Sequence, residues 1–262
     1  MRRHLTPILT GALLLALLSS PPLGAEVCQG FGPQTPRDIA GKAGANPVTF
    51  APAPPAAEMN LCNIHFHKNA EHKGPGFSDF AGTGTYGGYR CNGSAPPSGK
   101  APSKGDDVAC ENVRPGDTIE VHWVHSSCDV EPGPELDACS SEACLNPQLR
   151  VETQVFLVVD DAGAADFEAF SNAAQPVNGR FQARAFPSGT GEPVTFLGST
   201  TGPKFDERTC SPLQVTWSVR PRCARVDLGS LQRWCKENVF KERRAHGVRP
   251  LVTDPRLLSE IP

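Results

Sequence analysis

The sequence predicts a mainly β fold of the α+β kind, with one late surface helix and disulfide-tied loops. Three observations carry that expectation. Period-two alternation and β-branched runs recur in four segments. A single stretch, near the C-terminus, shows helical spacing. All ten cysteines lie beyond residue 27, in loop-rich surroundings.

Taken in order, "MNLCNIHFH" (59–67) alternates and reads as a strand. "GFSDFAGTGTYGGYRCNGSAPPSGKAPSKGDD" is rich in Gly, Pro and Ser, a loop holding at most short strands. In "RPGDTIEVHWVH" (114–125), Pro115, Gly116 and Asp117 supply turn chemistry and the following Thr, Ile, Val and Trp favour a strand. Residues 126–148 hold three cysteines and several acids, a disulfide-tied excursion. "QLRVETQVFLVVD" is mostly apolar and therefore central. "PLQVTWSVRP" is a further strand. "SLQRWCKENVFKERR" places Leu231, Trp234, Cys235, Asn238 and Val239 on one face of a helix after a Ser N-cap.

The N-terminus has the layout of a secretory signal peptide: Arg2 and Arg3, the apolar run "LTPILTGALLLALL", then small residues to Ala25. The expected organisation is a signal peptide at 1–25, an irregular Pro/Ala-rich arm at 26–58, and one domain at 59–262. Export, to the periplasm or the medium, agrees with an even cysteine count, which points to disulfides; spacing does not reveal their connectivity. The formal net charge of −3 shows neither a nucleic-acid footprint nor a polybasic membrane patch. A small-molecule substrate is expected, with no membrane anchor after cleavage.

Five of the seven histidines fall in two short segments, "NIHFHKNAEH" and "EVHWVH". Side chains two apart on a strand share a face, so His65 and His67 project together. Alone, an HxH pair is most often a satisfied surface or core feature. On the second strand Glu120, His122 and Val124 form the inward set. Three imidazoles from two strands make the His₃ donor set of a catalytic zinc site. Glu120 stands where its carboxylate can fix the tautomer of His122, and Asn63 where it can orient His65. His72 and His125 are out of phase and read as hydrogen-bonded structural histidines.

"HFHKNAEH", "IEVHWVH" and "GSTTGPKF…VTWSV", in that order, resemble the delta-class carbonic anhydrases and are similar to the alpha-class active site. The resemblance spans about residues 60–240. It implies a central, largely antiparallel sheet like that of the alpha class, and reversible hydration of carbon dioxide. It implies His65, His67 and His122 as ligands of Zn²⁺, with substitution by Co²⁺ or Cd²⁺ left open, and Glu120 as the acceptor for His122. Thr200 resembles the threonine that orients the nucleophile, Glu71 the carboxylate that takes its proton, and Thr201 a residue on the substrate side. Val124, Val215 and Trp217 resemble the apolar wall where carbon dioxide sits. The threonine segment lacks the preceding leucine and has Gly202 where proline would stand, so which of Thr200 and Thr201 is the gatekeeper stays open. No histidine matches a proton shuttle, for which His72 is a candidate. Two other readings compete: a cupin metalloenzyme, with Glu71 as a fourth ligand to iron or manganese, and a non-catalytic zinc-binding relative.

Overall fold

The computed structural model describes residues 26–97, 109–199 and 204–262. A six-stranded sheet forms its centre, in the order β1 (Asn60–Lys68), β4 (Thr118–Ser126), β5 (Gln148–Val159), β7 (Gln214–Val219), β6 (Val194–Gly198), with β8 (Ala224–Asp227) also paired to β5. A separate hairpin joins β2 (Asp79–Gly82) to β3 (Gly88–Arg90). β1–β4, β4–β5 and β6–β7 run antiparallel, whereas β5 pairs in parallel with both β7 and β8. The sheet is mixed but largely antiparallel, as expected, with parallel pairing confined to the contacts of β5 with β7 and β8. Parallel pairing needs a long crossover, and the connection from β5 to β7 contains both a loop excursion and β6.

Both faces of the sheet are covered, which explains why β4 is buried along its whole length. On one face Ile64, Phe66, Val121, Trp123 and Phe156 pack against the α-helix α1 (Leu228–Lys236) through Leu231 and Trp234. On the other, Val124, Val151, Val155, Val215 and Trp217 form a second core. At Cys62 the β1–β4 register slips, so Leu61 shares the helix-side core with Ile64 while Cys62 joins the opposite one. Beyond this bulge, Asn63, His65 and His67 all face the second core.

α1 is shorter than its sequence pattern suggests. Asp227, not Ser230, is the N-cap: its Oδ2 accepts the Ser230 amide proton at 2.8 Å. The helix stops at Lys236, and Val239 is exposed rather than on the packed face. Among the described residues no helix is long and apolar enough to cross a membrane.

All ten cysteines are paired: Cys28–Cys210, Cys62–Cys139, Cys91–Cys223, Cys110–Cys235 and Cys128–Cys144. Two of these bridges tie down the excursion between β4 and β5. Cys62–Cys139 fastens it to β1, and the Gly133 amide donates to the Cys62 carbonyl at 3.0 Å. The turn into β4 uses Gly116 at φ 88°, a left-handed conformation in which a side chain is strained.

Candidate metal centre

The register of β1 and β4 sets His65 directly opposite His122, and His67 opposite Glu120. Since both strands present these residues to the same face, the three imidazoles meet. One nitrogen from each of His65, His67 and His122 lies within 4.8 Å of the other two. Nε2 of His65 and Nδ1 of His122 are 3.2 Å apart. Ligands about 2.0–2.1 Å from a tetrahedral ion stand roughly 3.4 Å from one another, so the spacing suits a single small cation.

Where the ring protons lie decides whether that pair is a hydrogen bond. The Asn63 amide donates through Nδ2 to the Gly133 carbonyl at 3.1 Å, which turns its Oδ1 toward His65. That oxygen can only accept, so His65 Nδ1, at 2.7 Å, carries the proton and Nε2 is bare. His67 Nδ1 donates to the Gly247 carbonyl at 2.8 Å, with the Glu71 carboxylate 3.3 Å away, and leaves its own Nε2 bare. His122 Nε2 donates to Glu120 Oε1 at 2.7 Å and leaves Nδ1 bare. Three lone pairs therefore face one another with their protons pointing outward, an arrangement that repels unless a cation sits among them.

Electrostatics act in the same sense. Burial, reinforced by the neighbouring rings of His122 and His67, holds His65 well below the ordinary histidine value. Burial likewise brings His67 down to about 4, against the opposing pull of Glu71. These rings stay neutral near pH 7, the form that binds metal.

Glu120 holds its place through four contacts. Oε1 accepts from His122 Nε2 and from His72 Nδ1 at 2.6 Å, and Oε2 from the amides of Glu71 and His72 at 2.7 and 3.1 Å. Burial disfavours its charge, but the partners His72 and His122 outweigh this and keep it ionised. His72, Glu120 and His122 also bring three donor atoms close together. The Nδ1 proton of His72 and the Nε2 proton of His122 bond to the carboxylate, which makes this cluster a hydrogen-bonded brace and not a ligand set. His72 is fully buried, and its Nε2 lies 3.0 Å from Thr35 Oγ1. That burial removes His72 as a proton shuttle, since a shuttle must reach solvent.

Glu71 is clamped. Arg249 Nη2 donates to its Oε2 at 2.8 Å, and Arg249 Nε and amide to its Oε1, each at 3.2 Å. Burial would raise this carboxyl, yet Arg249 and then His67 hold it at about 2. It stands on the Nδ1 side of His67, away from the converging nitrogens, so it is not the inner ligand of a cupin site. Thr200 and Thr201 lie outside the described residues.

A small pocket opens over the bare nitrogens. Val124, Leu136, Leu149, Val151 and Trp217 line its apolar side, and Arg249 also borders it. Val215 does not reach the pocket; it packs in the core beside Trp217. The volume is about 40 Å³, small enough to suit a small molecule.

Several of these residues escaped the sequence reading. Val151 sits on the alternation of β5 and was within reach of it. Gly247 acts through a carbonyl 180 residues from His67, for which no side-chain signal exists. His246 arrives with Gly247, its ring centroid 5.6 Å from that of His65, and bonds Glu242 Oε2 at 3.1 Å.

No curated protein sequence matches the chain. Among solved structures, the complex of an alpha-carbonic anhydrase from Thermovibrio ammonificans with the inhibitor sulfanilamide is similar at 14% identity, covering 84% of each chain, with a TM-score of 0.31. The family profile of the delta carbonic anhydrases matches residues 56–230, a span that runs from the end of the N-terminal arm through both histidine strands to the start of α1. The chain belongs to the delta carbonic anhydrase family.

Proposed function

We propose that this protein interconverts carbon dioxide and bicarbonate at a zinc ion held by His65 Nε2, His67 Nε2 and His122 Nδ1. The observation that carries the reading is the trio of unprotonated nitrogens, each with its other ring nitrogen bonded to a fixed acceptor. Three neutral imidazoles with an open fourth position are the donor set of catalytic zinc. Bound zinc lowers the pKa of a coordinated water and so supplies a nucleophile near neutral pH, an effect for which carbonic anhydrases are the standard example.

The chain's own groups do the rest. The apolar side of the pocket takes up a neutral, nonpolar gas without needing a charged anchor. Asn63, Gly247 and Glu120 fix the three tautomers, which keeps the ligand nitrogens aimed without reorganisation. Glu71 stays ionised, and its Oε2 has one described donor, Arg249 Nη2. It retains the capacity to accept a proton from a hydroxyl, the role proposed for Thr200, with Thr201 toward the substrate. The five disulfides support export to an oxidising compartment as part of the same proposal.

The test is metal content together with stopped-flow carbon dioxide hydration on the purified protein. One zinc per chain with hydration is expected, and His122→Ala should lose both. Iron with oxygen consumption would favour the cupin reading, and zinc without hydration a binding protein.

A further inference from the structure

Resting on that reading of the site, we propose that Arg249 docks the anionic side of the reaction, holding bicarbonate by hydrogen bonds beside the metal ligands. The pocket has two unlike sides. Its apolar residues suit a neutral gas, but the reaction converts that gas into an anion in the same space. Arg249 is the one permanently charged side chain among the described lining residues.

Its donors are partly committed. A guanidinium has five N–H groups in a fixed fork. Nε and Nη2 each give one to Glu71, at 3.2 and 2.8 Å, and Nη1 gives one to the Thr35 carbonyl at 3.3 Å. One N–H on Nη1 and one on Nη2 therefore remain beyond these bonds. Glu71 and Thr35 fix the plane of the group, and with four-fifths of its side chain buried it cannot swing away. These N–H groups on a held plane are donors left over for the oxygens of a carboxylate-like anion. The guanidinium lines the same pocket as His65, His67 and His122, which places its charge beside the metal ligands.

Formate serves as the probe, since it has the planar O–C–O group of bicarbonate and does not turn over. Removing Arg249 alone would strand Glu71 as an uncompensated buried charge. The main variant is therefore Glu71→Gln/Arg249→Gln, which replaces the ion pair with two neutral amides, and Glu71→Gln alone is its control. Formate is titrated calorimetrically into each zinc-loaded protein, with imidazole as a neutral metal ligand for comparison. The double variant should hold one zinc per chain, bind imidazole as the parent does, and bind formate about tenfold more weakly, the loss expected for one or two hydrogen bonds to an ion. Glu71→Gln should bind formate no more weakly than the parent, because the guanidinium keeps its charge and loses a competing carboxylate. Arg249→Lys should retain part of the affinity, because it keeps the charge and loses the fork.

Formate affinity in the double variant within twofold of the parent overturns the proposal. So does an equal loss for formate and imidazole, which would mean that Arg249 only braces the metal site. A zinc-loaded parent that binds formate but does not hydrate carbon dioxide would sink the enzymatic reading, and the formate comparison would still decide the role of Arg249.

Discussion

His122 and His125 stand three residues apart on β4 and therefore face opposite sides of the sheet. His122 has a partner for each ring nitrogen, a carboxylate on one and the metal position on the other. His125 is fully buried on the helix side; its Nδ1 bonds the Trp123 carbonyl at 3.1 Å, and its Nε2 has no hydrogen-bond partner among the described residues. Burial brings this ring down to about 4 from the ordinary 6.5. The unfolded chain then takes up a proton between those values where the folded chain does not. Its contribution to stability is complete above about pH 6.5 and is lost as pH falls toward 4, about 3 kcal/mol in all. Whatever His125→Asn costs at pH 7, its deficit against the parent should shrink by about that amount at pH 4, as read by urea unfolding at each pH. A constant deficit would mean that His125 is not buried neutral. At this scale much of the site was legible, because alternation alone orders Asn63, His65 and His67 on one strand and Glu120 and His122 on the next. The acceptor for His67 was not, since a carbonyl carries no residue-type signature. Arg249 was hidden for a related reason: an arginine in a C-terminal segment reads as solvated until the fold brings a buried carboxylate to it.

The excursion between β4 and β5 acts on the site as an element. It carries Leu136 to the pocket wall, and its Gly133 carbonyl fixes the amide of Asn63, which in turn orients His65. The Cys62–Cys139 bridge holds it, closing a separation of 77 residues. By chain entropy, cross-linking a loop of that length is worth about 4–5 kcal/mol. The Cys110–Cys235 bridge instead fastens α1 on the far side of the sheet. Cys62→Ser/Cys139→Ser and Cys110→Ser/Cys235→Ser should both lower unfolding free energy by about that amount. The first alone should also slow carbon dioxide hydration at temperatures where both remain folded. Equal rates in the two variants would show that the excursion does not support the pocket. An even number of cysteines in an export-type sequence indicated disulfides, but their connectivity depends on which loops meet in space. Strand alternation located β1, β4, β5 and β7 to within a residue or two. It could not show that β5 pairs in parallel with β7, because apolar strands buried on both faces look alike in either orientation.

For the whole molecule, the question is whether the metal builds the fold or only occupies it. In small zinc domains the ligands have no core behind them, and chelation unfolds the chain. Here the ligands stand on β1 and β4, which pair with each other along their length and have a core on each face. The outward nitrogens of the three rings are held by Asn63, Gly247 and Glu120 whether or not an ion is present. The metal-free protein should therefore stay folded, destabilised chiefly by three lone pairs left facing one another. Chelation should abolish hydration while leaving the far-UV circular dichroism unchanged and lowering the melting temperature. The size of that shift follows from mass action: free zinc at 1,000 times its dissociation constant stabilises by about 4 kcal/mol. In a domain of 150–250 residues that amounts to roughly 8–16 °C. Zinc added back should restore both activity and melting temperature at one equivalent per chain. Loss of the β signature on chelation would mean that strand pairing and the five disulfides do not hold the sheet, and that the ion does.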